Sequence, residues 1–241
     1  MTATTSSRDV PQIMFPGQAA APAGPVDLLP MYLMHHAFRR DLRRFAAAAA
    51  GTPVGDRATW RALGKRWDAF GRTLHHHHHG EDETLWPLLL ARVDAAGDEA
   101  GRATLEAMET EHEEIDPLLE SCHAGFVRMA EHADTDAQAA LVVRLSATRE
   151  RLGHHLCHEE TEAMALVQKH VSAAEWHALD DEFRKHYTAQ DQLFALPWVL
   201  SGLPADVAPR VMAFIGTGGT LLWTLLRRRF ERRERAAFRY A

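Results

Sequence analysis

Apolar residues recur along most of the chain in alternating steps of three and four, the spacing that lines one face of an α-helix. The first such seam runs Met31, His35, Phe38, Leu42 and Phe45. His35 therefore faces inward, and His36 is expected on the solvated face with Arg39, Arg40 and Arg43. A break at 51–56, carrying Pro53 and Gly55, leads to a second helix over about 59–93. Its seam is Trp60, Leu63, Trp67, Phe70, Leu74, His77, Glu81, Leu85 and Leu88, with Pro87 expected to bend the last turn. A loop at 95–101 precedes a third seam of Leu105, Met108, His112, Ile115, Leu119, Cys122, Phe126 and Met129. The fourth is Leu141, Leu145, Thr148, Leu152, His155, Glu159, Ala163 and Leu166.

Four helices of similar length joined by short loops predict an all-α, up-down-up-down four-helix bundle over 27–170. In such a bundle, early positions on odd helices share an end with late positions on even ones. His35 and His112 are early; His77, Glu81, His155 and Glu159 are late. All six side chains are expected to converge at one level.

The flanks read differently. Residues 1–26, rich in Ala, Pro, Gly, Ser and Thr, predict a flexible arm with local order at most near 13–15. Residues 171–241 predict additional C-terminal helices. Ser172 and Glu175 form a capping box, followed by a stripe of Trp176, Leu179, Phe183, Tyr187 and Phe194. A turn is expected at 196–204, then a last helix over about 207–240. Its uncharged run, 211–226, is shorter than the roughly 20 residues that span a bilayer and reads as a buried helix or helix pair.

Composition narrows the function. Lys and Arg number 27 against 33 Asp and Glu, a net charge of −6, which argues against a general nucleic-acid binder. The C-terminal RRRFERRERAAFR is a local exception, read as a solvated helical end, with contact to an acidic lipid or partner as the alternative. Cys122 and Cys157 form no CxxC motif and no signal peptide is evident, so free, core-facing thiols and a cytoplasmic location are expected. The 16 histidines cluster, five of them at 75–79 in an internal run that leads straight into the second seam.

An ionised glutamate is almost never buried unless it is paired or binds metal. Two seam glutamates, each four residues after a seam histidine and at matching depth, make a metal site the economical reading. Imidazole with carboxylate suits iron, manganese or zinc, without the thiolates of a structural zinc site.

The motifs HHAFRRDL from His35, HHHGEDETLWP from His77, EHEEIDPLL from Glu111 and HHLCHEE around His155 resemble the four ligand motifs of the hemerythrin-like HHE cation-binding domains, over about residues 28–170. The resemblance implies a non-haem di-iron centre, two Fe ions with or without an oxo bridge, for which zinc or manganese could substitute. The implied ligands are His35, His77, Glu81, His112, His155 and Glu159. His78 stands where some relatives supply an extra ligand, and Glu111, Asp116 and Glu160 are alternatives. Oxygen-carrying hemerythrins have two histidines four apart on the third helix; here Met108 and Asp116 flank His112 at that spacing. A less nitrogen-rich centre is therefore expected, suited to redox turnover or sensing. The expected ligand is a small oxidant (dioxygen, peroxide or nitric oxide), with catalase-like or oxidase turnover as one outcome. The alternative is a metal-responsive module whose C-terminal helices bind a partner.

Overall fold

The computed structural model of the chain describes residues 9–185 and 188–241, so Tyr187 of the expected stripe lies outside the described residues. Helices α1 (Leu29–Gly51), α2 (Arg57–Gly80), α3 (Trp86–Ala96), α4 (Glu99–Glu131), α5 (Thr135–His158) and α6 (Met164–His170) build four rods, because α2 runs into α3 and α5 into α6 without a break. The fold is all-α, with a single isolated bridge, Val10 to Gly24, among the described residues. Each loop between rods ends on an aspartate that caps the next helix. Asp56 accepts from the Thr59 N–H, Asp98 from Gly101 and Asp134 from Asp136 and Ala137.

Neighbouring rods run antiparallel, as pairs of contacts at their opposite ends show. Phe45 packs on Trp67 while His35 packs on His77. The Trp67 indole N–H donates to the Leu119 carbonyl, and Asp82 meets His112. Thr148 lies against Cys122, and His155 against Glu111. Between the rods sits an apolar core that includes Phe38, Phe45, Trp67, Phe70, Phe126 and Leu152.

The junctions within the second and fourth rods are π-helical turns, Glu81–Leu85 and Glu159–Ala163. Each inserts one residue into the helical repeat, so the Trp86 N–H reaches Glu81 O and the Met164 N–H reaches Glu159 O. The seam slips by one residue beyond each turn. Leu89 and Val93 are fully buried rather than Leu88, and Val167 is 0 % exposed against 9 % for Leu166. Pro87, which has no N–H to give, sits in the first turn of α3 just after the wide turn.

Residues 9–28 are packed on the rods, unlike the flexible arm expected over 1–26. Ile13, Phe15, Val26 and Leu28 are buried. The Ala19 N–H donates to Glu160, and Gln168 bonds Val26 and Pro22. These anchors lie some 140 residues away in sequence, which is why local composition hides them. The same arm buries His36, expected on the solvated face, by stacking Phe15 on its ring at 4.9 Å.

Helices α7 (Ala173–Lys185), α8 (Ala189–Val199) and α9 (Ala208–Ala237) follow. The capping box at Ser172 and Glu175 opens α7. Pro197 lies inside α8, so the turn expected at 196–204 starts only after Val199. The basic C-terminal stretch is not wholly solvated, because Phe230, Glu234, Ala237 and Phe238 are buried. Glu234 pairs with Arg44 and Arg66, and Phe238 packs on Phe45. The run at 211–226, expected to be buried, instead exposes Phe214, Leu221, Leu222 and Leu225. Gly216, with φ 63°, breaks α9 within it, in a backbone region that disfavours other residues.

Candidate metal centre

His77 and His78 end α2, and Glu81 follows as the first residue of the π-turn. His155 and Glu159 repeat this arrangement on the fourth rod. With His35 from α1 and His112 from α4 they form two adjoining groups: His78, His112 and His155; and His35, His77, Glu81 and Glu159. Within each group the donor atoms lie within 4.8 Å of one another. The carboxylates stand between the groups. Glu81 lies 3.2 Å from His77 Nε2 through Oε1 and 3.6 Å from His112 Nε2 through Oε2. Glu159 Oε2 lies 3.2 Å from His35 Nε2 and 3.8 Å from His155 Nε2. All seven side chains are buried.

Three imidazoles are held from behind by carboxylates. Nδ1 of His35 faces Glu160 at 2.9 Å, Nδ1 of His112 faces Asp82 at 2.8 Å, and Nδ1 of His155 faces Glu111 at 2.9 Å. An ionised carboxylate only accepts, so each Nδ1 carries a proton and each ring turns Nε2 inward. Glu160 is itself fixed by Arg39 at 2.5 and 2.9 Å and by the Ala19 N–H at 2.8 Å. Glu111 also receives His158. Burial alone would raise the Glu111 pKa, but the bonds from His155 and His158 bring it down to about 2.

The inward-facing atoms of the pocket are short of partners. Nε2 of His112 and His155 are 3.2 Å apart, and with both Nδ1 atoms protonated their lone pairs face each other. Both oxygens of Glu81, both of Glu159, and Nε2 of His35, His77 and His78 lack a hydrogen-bond partner. Buried polar atoms are rarely left so. Without a cation the pocket adjusts its own charge. Burial, then the neighbouring Glu159 charge, push Glu81 well above the usual carboxylate range. Burial opposes ionisation of Glu159 too, but His35 draws it down to about 2. His35 is raised to about 9 by Glu159 and Glu160 against its own burial. Burial takes His77 down to about 3 and lowers His78 and His155. A donor set of five imidazole nitrogens and two carboxylates, with lone pairs facing inward, fits divalent or trivalent metal of borderline hardness.

The structure brings together all seven residues singled out in the sequence: His35, His77, His78, Glu81, His112, His155 and Glu159. His78 turns inward beside His112, their rings stacked at 3.9 Å. The nitrogen-poor set expected from Met108 and Asp116 is therefore not what the pocket offers, because the second rod supplies the fifth imidazole. Glu111 and Glu160 stand behind histidines, and Asp116 is exposed. Cys157 is exposed rather than core-facing, while Cys122 is buried. Sequence reasoning missed Asp82 and the buried Tyr32, whose hydroxyl has no partner. The only signal for Asp82 was its place beside Glu81 in the HHHGEDE run.

No helix among the described residues is long and apolar enough to cross a membrane. No curated protein and no solved structure matches the chain. The family model of the hemerythrin HHE cation binding domain matches residues 30–167, more than half of the chain, and spans all seven residues of the pocket. The chain belongs to the hemerythrin HHE cation-binding family.

Proposed function

We propose that the pocket holds two non-haem iron ions and that the protein binds or reacts with a small oxidant such as dioxygen, peroxide or nitric oxide. The observation that carries this reading is the inward-facing Nε2 pair of His112 and His155, 3.2 Å apart, beside two buried carboxylates that no arginine or amide reaches. His78, His112 and His155 would hold one ion, His35 and His77 the other. Glu81 and Glu159 would be shared between them. Iron so held supplies a redox-active Lewis acid. The protein's part is orientation and charge. Glu160, Asp82 and Glu111 keep the Nδ1 protons and aim each Nε2. The division of imidazoles into three and two leaves the His35–His77 end with one protein donor fewer, which favours that end for the small ligand. Tyr32, three residues before His35 on α1, offers a buried hydroxyl there.

Elemental analysis of untagged, chelator-washed protein from iron-supplemented cells tests the site. About two irons per chain are expected. Near-stoichiometric zinc would keep the site and remove the redox role; metal-free protein would remove both. Peroxide consumption by the iron-loaded protein then separates catalase-like turnover from reversible binding, and dioxygen consumption with an added reductant does the same for oxidase turnover.

A second reading, a metal-responsive interaction module, draws on Gly80. A Cβ at this position would run into the ring of Phe183 on α7, so the turn that carries Glu81 bears directly on the C-terminal helices. Hydrogen exchange in α7 that changes on metal removal, without peroxide turnover, would favour it.

A further inference from the structure

Helix α9 is committed on one face and uncommitted on the other. Beyond Gly216, Phe230, Glu234 and Ala237 turn inward, and Glu234 is tied to Arg44 and Arg66. The opposite face carries Leu221, Leu225, Arg228, Arg229 and Arg232 at helical spacing. Leu221 is 64 % exposed, Leu222 39 % and Leu225 70 %, and Phe214 is 45 % exposed before the break. The helix cannot roll to hide these leucines without drawing Glu234 away from its two arginines. An exposed apolar patch with a charged border marks an interaction surface.

The border decides the partner. From 227 to 239 there are seven arginines and two glutamates, one of which is the buried Glu234. Arg235 reaches Glu231 at 3.9 Å; the described residues supply no carboxylate to Arg228, Arg229, Arg232 or Arg233. The outward stripe thus passes from leucine to arginine within about one helical turn, roughly 5.4 Å. A partner must offer an apolar layer and a negative layer at that separation. A nucleic acid has the phosphates without the apolar layer. The acyl boundary and headgroups of an anionic bilayer have both. The uncharged run at 211–226 is too short to span, so α9 would slope into the interface with its leucine end deeper than its arginine end.

We propose that the outward face of α9 from Leu221 to Arg233 docks on an anionic lipid surface, with the leucines at the acyl boundary and the arginines among the phosphates.

The test is co-sedimentation of the full-length protein with vesicles of phosphatidylglycerol and phosphatidylcholine in equal parts, against phosphatidylcholine alone. Binding at least about ten-fold stronger to the anionic vesicles is expected, falling as salt rises. Leu221→Glu with Leu225→Glu should abolish it, and Arg229→Gln should weaken it about five-fold. Because these side chains are exposed, circular dichroism and metal content should not change. Failure to sediment with either vesicle overturns the proposal. So does a dimer in solution that Leu225→Glu converts to monomer, which makes the face a contact between two copies. Binding to duplex DNA that survives the leucine variants, without vesicle binding, overturns it as well.

Discussion

Asp41, Arg66 and Glu234 close on one another, whereas Glu81 and Glu159, on the same set of rods, meet only imidazoles, at 3.2 Å or more. In the first cluster Asp41 accepts from Arg66, from Arg40 at 3.0 Å and from the Trp198 indole N–H at 2.7 Å. Glu234 accepts from Arg66 at 2.6 Å and Arg44 at 2.5 Å. Only Nη1 of Arg66 is left over, and its guanidinium lies 5.0 Å from the centroid of the Phe194 ring. In the second cluster no arginine or amide reaches either carboxylate, the nearest polar atoms being imidazole nitrogens at 3.2–3.8 Å, and Nε2 of His35, His77 and His78 faces the same space. Both clusters are buried and ionic. The closed one ties α1, α2, α8 and α9 together and needs nothing from outside. The open one carries a desolvation cost that protons on Glu81 and His35 offset in part and an added cation would offset further. Unsatisfied atoms, more than burial or charge, separate a binding site from a structural network.

The largest effect should come from filling the open cluster. A ligand at a thousandfold excess over its Kd stabilises by about 4 kcal/mol per site. Two irons would therefore contribute about 8 kcal/mol, roughly 15–30 °C in Tm for a chain of this size. Calorimetry of chelated and iron-loaded protein reads this directly. Glu81→Gln should invert the pattern, melting higher than wild type when metal-free and losing most of the gain from iron. A metal-free protein that melts within a few degrees of the loaded one would show that the open cluster carries no such cost.

Breaking the closed cluster should cost less and behave oppositely. Arg66→Ala takes the shared cation from two buried carboxylates, leaving Asp41 to Arg40 and Trp198 and Glu234 to Arg44, and should cost about 3–5 kcal/mol. The loss should be the same with and without iron, and iron content should not change. A fall in iron binding would show that the two clusters are coupled.

Between pH 6.5 and 9 only the open cluster should respond. In the metal-free protein, His35 rises from an ordinary 6.5 to about 9, chiefly through Glu159 against its own burial. Its stabilising contribution is complete below pH 6.5 and is lost as pH rises through 9, about 3 kcal/mol in all. Glu81, raised by burial and then by Glu159, acts in the same direction from the carboxylate range upward. Asp41 is held below its ordinary 3.8 by Arg66 and Arg40 against its burial, so its contribution fails only in acid. Urea unfolding of chelated protein should therefore weaken across this window, while the iron-loaded protein, with His35 neutral as a ligand, should stay nearly flat.

The two clusters were unequally legible in the sequence. His35, His77, Glu81, His112, His155 and Glu159 stand out because helical spacing puts polar groups in slots that apolar residues fill elsewhere on the same seams. The closed cluster left no such trace. Asp41 and Arg66 read as ordinary charges on helices, and Glu234 sat in a run of arginines, its partners lying 168 and 190 positions away. The π-turns were hidden for a different reason. One inserted residue alters neither composition nor spacing before the turn and shows only as the later shift from Leu88 to Leu89. The run at 211–226 misled because its composition suits a core, and only the anchoring of Phe230 and Glu234 forces it outward.

The smallest effect concerns a single hydroxyl and tests the same distinction most finely. Tyr32 is fully buried, and its hydroxyl meets no partner. Burial, then the charges of Glu160 and Glu159, raise its pKa, so it keeps its proton and has it to donate to whatever occupies the pocket. Tyr32→Phe strands no other group, and stability should hold or rise by about 1 kcal/mol. Trp198→Phe, which takes a donor from Asp41 in the closed cluster, should cost about 1.5–3 kcal/mol in addition to lost packing. Iron content should match wild type in both. If Tyr32 faces the small ligand, its loss should weaken nitric oxide binding about ten-fold, the worth of one hydrogen bond of about 1.4 kcal/mol. A Tyr32→Phe protein that is clearly less stable would mean that the hydroxyl is already engaged. Unpaired atoms on this side of the pocket would then no longer point to a ligand.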